Sequence, residues 1–411
     1  MDPKSYPRSQ EHESRDSLEK LDQGTLELTL SKNTILHLVS KAGDIKYAND
    51  ILAKHPSLVY HRNSGGETPA YVAARDGQVD ILALMISYFK AKKDDIISLV
   101  TRSTDKHNAL HIAIQNHHVG VVFWLIKEIP QLANSINDFN ESPIYLAAER
   151  GYHHILNLIL NMGGKQTFEG PKGKTALHAA AISGSKGLGV FGSGVLCTVG
   201  VGVSGVCVNV VFGTGKISSS NGKSPKLECI TYLLKEGTDQ HKRDKQGWTP
   251  LQYAVHHNNP LVSSELVDAD PSIVYEIIKE DDINTSVVHI AAKRGYCETV
   301  KVLMNQCPGC SELLDEKGKN ILHVAVENKQ SEVIKFIYGD ISYTSLVNKK
   351  DNDGNTPIHL LMASDLEMME VAMDYRVNIN AMNYEKLTPL DMASSNEKRK
   401  RLLEVHIFML N

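Results

Sequence analysis

A four-residue opening recurs ten times along this chain: a small hydroxyl or amide residue, then Pro or an apolar residue, another apolar residue, and usually His. The openings start at Thr34, Thr68, Asn108, Ser142, Thr175, Thr249, Ser286, Asn320, Thr356 and Thr388. Measured on their fourth residues, from His37 to Asp391, the intervals are 34, 40, 34, 33, 74, 37, 34, 36 and 32 residues. Self-similarity at a nearly fixed period marks a stacked-repeat architecture, because one unit cannot bury its apolar face alone and its neighbours must cover it. A chain of 411 residues therefore reads as one elongated array instead of two or three globular domains.

Within each unit the signals come in a fixed order. Pro69, Pro143, Pro250, Pro357 and Pro389 suit a first helical position, where the missing N–H has no partner to lose, and the preceding Thr or Ser suits the N-cap. Small residues follow, as in Val72-Ala73-Ala74, Ala179-Ala180-Ala181 and Ile290-Ala291-Ala292, so this helix can lie close to its counterpart in the next unit. A break at Gly77, Gly151, Gly184 or Gly295 leads into a longer segment with apolar residues at helical spacing, as in Val300-Lys301-Val302-Leu303-Met304. Turn-rich stretches such as Gln246-Gly247 and Asp353-Gly354 read as hairpin tips joining the units.

This unit resembles the ankyrin repeat, over roughly residues 33 to 395. The implied fold is all-α: an ankyrin-repeat solenoid of about ten helix-turn-helix units with β-hairpin tips. The expected organisation is a disordered lead-in at 1–32, repeats over 33–186, a Gly/Val-rich insert at 187–226, repeats again over 227–397, and a truncated C-terminal tail at 398–411.

The double-length interval holds the insert. The helix before it runs through Ser183, the one after it resumes at Leu227, and residues 187 to 215 carry no charge at all. That length meets the minimum of about 18 residues for a membrane span, but a span here would put the two helices of one repeat on opposite sides of a bilayer. Alternating Gly and Val are also weak helix formers. The insert is expected to be a looped-out excursion, and the flanks would join into an ordinary repeat without it. Its Gly200-Val201-Gly202-Val203-Ser204-Gly205 and Gly213-Thr214-Gly215-Lys216 echo phosphate-binding loops but lack their strand and helix context.

A net charge of −4 gives no electrostatic case for nucleic acid. Six unevenly spread cysteines and an N-terminus without an apolar segment argue for a reducing compartment and against a secretory signal. Cys307-Pro308-Gly309-Cys310 invites a thiol-redox reading, but it follows a helix C-terminus, where the dipole disfavours a thiolate, and is expected to be a loop turn. The pairs His117-His118, His153-His154 and His256-His257 sit at different offsets from their openings and form no ladder, and the marker histidines read as structural. The basic run Lys398 to Arg401 is read as complementing a helix end. No catalytic, cofactor or metal site is expected, and the chain reads as a non-enzyme.

Further residues narrow the resemblance. The style of Glu67-Thr68-Pro69-Ala70-Tyr71-Val72-Ala73-Ala74-Arg75-Asp76-Gly77, and Cys307-Pro308-Gly309-Cys310-Ser311-Glu312-Leu313 leading into Asn320-Ile321-Leu322-His323, resemble the plant ankyrin proteins of the accelerated-cell-death type. That resemblance implies a protein-interaction scaffold in plant defence and cell-death signalling, cytoplasmic and at the plasma membrane in full-length relatives, where a Pro-Gly-Gly membrane domain follows the array. The alternatives are the cytoplasmic part of an integral signalling or transport protein and, remotely, a thiol-redox enzyme. This chain ends at Asn411, where the family continues toward its spans. Protein partners are expected on the concave helix surface and the tips, through Arg75, Asp76, Glu149, Arg150, Lys245, Trp248, His256, Lys293, Arg294, Lys319 and Glu327. Trp248 is the expected anchor, as an exposed tip residue or packed on a neighbouring tip, and the four cations Arg75, Arg150, Lys293 and Arg294 are expected to carry no packing.

Overall fold

The structure, a computed structural model, describes residues 29–92, 95–162, 166–183, 195–198, 211–214, 224–280, 283–364, 368, 371 and 374–393. The expected lead-in lies mostly outside these residues, as do the basic run from Lys398 and the loop-like motif at 200–205. The chain divides into two compact units, residues 1–143 with 158–167 and residues 144–157 with 168–411.

Each of the ten openings starts a helix. In the first unit these are Ile35–Ala42, Pro69–Arg75 and Ala109–Gln115, and in the second Ala176–Ser183, Pro250–His256, Val287–Lys293, Ile321–Glu327, Pro357–Ala363 and Pro389–Met392. Pro143–Arg150 also follows its opening. The hydroxyl or amide residue caps as its chemistry demands: Thr68 Oγ1 accepts from the Tyr71 N–H at 3.1 Å, and Asn320 Oδ1 from Leu322 and His323 at 3.1 and 3.0 Å. Ala70, Ala73, Ala74, Ala291 and Ala292 are wholly buried, and successive opening helices pack directly on one another within each unit.

Second helices such as Ile45–Lys54, Val119–Glu128, Pro260–Ala269 and Cys297–Gln306 run back across the opening helices, and 3-10 turns led by Pro56, Pro130, Pro271 and Pro308 follow them. The 40-residue interval is explained by a second helix of 14 residues, Val79–Lys92, and an added short helix, Ile96–Val100. Leu36, Ile81, Leu82, Met85, Phe89 and Leu110 fill the first unit's core, and Ile230, Leu251, Leu266, Leu303, Ile321 and Ile334 that of the second.

The marker histidines tie one repeat to the next. His37 Nδ1 accepts from the Thr34 N–H at 3.1 Å, while its Nε2 donates to the Glu67 carbonyl of the following tip at 3.0 Å. The same pair of bonds joins His111 to Asn108 and Glu141, His178 to Thr175 and Trp248, His323 to Asn320 and Asn355, and His359 to Thr356 and Leu387. His289 uses the Ser286 hydroxyl and the Lys319 carbonyl. His178 reaches its partner across 70 residues, so the two sides of the insert meet as adjacent repeats. Gln252 stands at the same register with half the set. Its Oε1 accepts from the Thr249 N–H at 2.7 Å, but its buried Nε2 has no partner among the described residues.

The tips are closed chiefly by side-chain turns. The carboxyl or amide oxygen of Asn63, Asn137, Asp244, Asp315 and Asp351 accepts the backbone N–H groups two and four residues on. Paired strands of the expected hairpin kind occur at Ile278–Glu280 with Ile283–Thr285. Elsewhere two bonds from one side chain complete a tip too short for a ladder. Successive tips then bond to one another, as in Asp138 N–H to Asp105 C=O and Asn352 N–H to Lys317 C=O, both 2.9 Å. Gly354 has φ +79°, and a Cβ there would lie 2.8 Å from the Tyr384 nitrogen of the next tip, so the position admits no side chain.

The helix after the insert begins earlier than Leu227. It spans Pro225–Lys235 with the Ser224 side chain accepting from the Leu227 N–H, the same hydroxyl-residue-then-Pro start found at Ser142-Pro143 and the Thr-Pro openings. Inside the insert Val195–Thr198 pairs antiparallel with Val211–Thr214. No helix among the described residues is long and apolar enough to cross a membrane.

Burial holds the marker histidines neutral: His37, His178, His289, His323 and His359 are pushed below the ordinary histidine value, and His111 is lowered to about 3. A folded pKa below the unfolded value of about 6.5 means that the unfolded chain binds more protons below that pH. The stabilisation is fully present above pH ~6.5 and declines as the pH falls toward the depressed values. Urea midpoints measured between pH 8 and 5 should therefore fall together with pH, and a midpoint that rises on acidification would contradict this. His323→Ala should cost about 2–4 kcal/mol in urea unfolding, because two buried bonds are lost and a carbonyl is stranded.

Candidate functional site

The residues left over after repeat stacking lie at the tips and at the C-terminal ends of the opening helices. Glu149 and Arg150 end the helix Pro143–Arg150 with both side chains exposed, as do Arg294, just past Val287–Lys293, and Glu327, which ends Ile321–Glu327. Ser64, Lys245, Gln246 and Glu316 are exposed at tips, and Lys293 is half-buried. Ser64, Lys245 and Glu316 hold one position of the repeat register, and Glu149, Lys293 and Glu327 another.

Several carry more internal contact than expected. The half-buried Arg75 binds Glu67 at 2.7 Å and Asp76 at 3.2 Å, and its carbonyl accepts from Asn116 and His118 of the next repeat. It does not fit the expectation of a cation without packing. Glu67 is eight residues earlier in sequence and becomes a neighbour only when the tip folds back. Lys319 similarly pairs with Glu327 at 2.8 Å, its own side chain only 11% exposed.

Trp248 takes neither of its two expected arrangements, being neither exposed nor packed on a neighbouring tip. It is half-buried, with its ring 5.1 Å from Tyr253 and 5.1 Å from His256, so it packs on its own repeat's opening helix instead of a neighbouring tip. Tyr253 is fixed by its hydroxyl, which donates to Asp244 at 2.7 Å, and Lys174 stands 4.5 Å above its ring. Trp248 thus joins an aromatic platform whose position is set from beneath.

Sequence reasoning missed two sets of clamps. Arg62 and Arg243 each precede the Asn or Asp that closes a tip, and each donates to the tip glycine's carbonyl, Gly66 or Gly247, and to a carbonyl of the next repeat, Thr101 or Ile277. The pairs Arg62-Asn63 and Arg243-Asp244 were the available signal. His118 and Gln330, at the starts of second helices, donate to the carbonyls of Arg75 and Lys293 one repeat back at 2.9 and 3.0 Å. An open depression of about 340 Å³ in the first unit, lined by Tyr71, Arg102, His107, Ile112, Gln115, Phe139 and Glu141, was missed as well. Phe139 at its edge is 60% exposed.

The Cys-x-x-Cys segment is built as a turn. Cys307 ends the helix Cys297–Gln306, and Cys310 sits in the 3-10 turn Pro308–Glu312 with its Sγ toward the Leu303 carbonyl at 3.7 Å. Burial raises the Cys307 thiol and pushes Cys310 up to about 12, opposite to the shift that activates a nucleophile. No group of three or more His, Cys, Asp or Glu among the described residues is placed to hold a metal ion.

Family descriptions of ankyrin repeats in three copies match residues 36–134, 110–188 and 264–345, and one of ankyrin repeats in many copies matches residues 221–267. Rabankyrin-5 of Mus musculus is 24% identical over 212 residues, 49% of this chain and 17% of its own length. The E3 ubiquitin-protein ligase KEG of Arabidopsis thaliana is 22% identical over 341 residues, 71% of this chain and 20% of its own. The chain therefore spans a fifth or less of these relatives. The crystal structure of the ankyrin repeat domain of Bcl-3, 19% identical, superposes on 66% of this chain and 98% of its own with a TM-score of 0.47.

Among Cys229, Cys297, Cys307 and Cys310, the half-exposed Cys297 should react first with an alkylating reagent under native conditions, the buried three only on unfolding. Mass mapping of the labelled peptides checks this order, and early modification of Cys307 or Cys310 would reopen the redox reading.

Proposed function

The chain belongs to the ankyrin-repeat proteins, and from that premise we propose that it acts as a protein-interaction scaffold, docking partners on the face formed by its tips and opening helices. Ankyrin repeats generally serve as such scaffolds, and the observation that carries the reading here is the exposed set Glu149, Arg150, Lys245 and Arg294, set out at repeat spacing on helix ends and tips. A stacked repeat needs its Ala and His positions for neighbours, so residues outside that framework can vary toward a partner without loss of the fold.

The proposed setting is plant defence and cell-death signalling, at the cytoplasmic face of the plasma membrane. It rests on the resemblance carried by residues 307–313 and the openings quoted above. The thiol-redox alternative loses support from the protonated, buried Cys310.

Capture of partners by the immobilised full chain, read by mass spectrometry, tests the scaffold. Glu149→Lys combined with Arg150→Glu should lower recovery of a specific partner several-fold while leaving the helical signal unchanged. Arg75→Glu should instead destabilise the fold, because it sets like charges against Glu67 and Asp76. Recovery unaffected by the double change at 149 and 150 would remove these residues from the docking surface.

A further inference from the structure

The tips of the repeats on either side of the insert bring together three lysines that stand outside the ion pairs of the described residues. The Lys245 N–H donates to the Lys172 carbonyl at 2.9 Å, and the Lys245 side chain lies across Gly173, where a Cβ would meet its Cγ at 3.3 Å. Lys174 stands over Tyr253 at 4.5 Å. Lys172 and Lys245 are exposed, and none of the ion pairs among the described residues includes Lys172, Lys174 or Lys245. Burial pushes the Lys174 ammonium below the ordinary lysine range, Asp244 and Glu149 oppose that shift, and Lys172 adds to it by repulsion.

The nearby acids are mostly engaged. Asp244 Oδ1 accepts from the Gln246 and Trp248 N–H groups, and its Oδ2 from the Tyr253 hydroxyl. Glu276 is held by Arg243 and His241. Glu149 and Glu169 remain exposed and border the cluster. Beside the lysines lies the platform of Trp248, Tyr253 and His256, an apolar surface already rigid before anything binds.

Charge complementarity selects the occupant. We infer that this face docks an acidic segment of a partner protein, its carboxylates on Lys172, Lys174 and Lys245 and a neighbouring apolar side chain against Trp248 and His256. The inference rests on the scaffold reading and names the partner's chemistry at one part of that surface. Lys172 and Lys245 stand outside any ion pair among the described residues and lose little on pairing, and an aromatic beside them supplies apolar area that opposite charges alone lack.

The test uses the full chain and fluorescence anisotropy with a labelled Asp- and Glu-rich peptide carrying one Leu. The peptide should bind, weaken as salt rises, and lose at least tenfold in affinity against Lys172→Glu combined with Lys245→Glu. Lys41→Glu combined with Lys46→Glu, at exposed lysines of the first unit, should bind as the unaltered chain does, and Lys172→Gln combined with Lys245→Gln should lose less than the reversal. Circular dichroism confirms that each variant is folded. Equal affinity for all variants, or equal binding of a Lys-rich peptide, overturns the inference. Phosphatidylserine vesicles bound as tightly as the peptide, and lost with the same variants, would make the patch a lipid contact and also overturn it. Failure here, with partner capture still sensitive to residues 149 and 150, leaves the scaffold standing without an acidic partner at these tips.

Discussion

At six of the ten openings an imidazole ring that bonds in two directions holds one repeat to the next. One nitrogen accepts at the N-cap of its own helix and the other donates to the carbonyl of the following tip, a pair that only the neutral ring makes. Behind it buried alanines let successive opening helices pack together, and the Asn or Asp of the tip closes the turn. The exposed residues owe their regular placement to this chain of constraints.

The framework was legible in the sequence for a simple physical reason. Capping, Pro placement and helical periodicity are local, and a local rule repeated ten times is read with growing force. Pro143-Ile144-Tyr145 and Thr356-Pro357-Ile358-His359 start helices for reasons contained in four residues. The Ser224-Pro225 start carries the same local rule the other openings obey, two residues ahead of the apolar run that begins at Leu227.

What was not legible depends on folding back. Glu67 meets Arg75 only after a tip has reversed the chain, and Trp248 meets His256 only across a turn and a helix. The clamp from Arg243 to Ile277 joins residues 34 apart, a distance at which no local pattern speaks. Register therefore told which of these residues stay exposed, Glu149, Arg150, Lys245 and Arg294, while the half-buried ones, Arg75, Trp248 and Lys319, acquired partners that a sequence does not display.

The glutamine at position 252 has a consequence for how this array comes apart. Stacked repeats unfold in blocks whose limits fall where neighbour coupling is weakest. Where its counterparts clasp the following tip, Gln252 leaves an amide group stranded in the interior, and such a group costs stability instead of adding it. At the seam between the sixth and seventh repeats that clasp is missing, and the work of holding it falls to other bonds that cross it, from Arg243 to Ile277, from Thr299 to Asn258 and from Gln306 to Ser264 and Asp268.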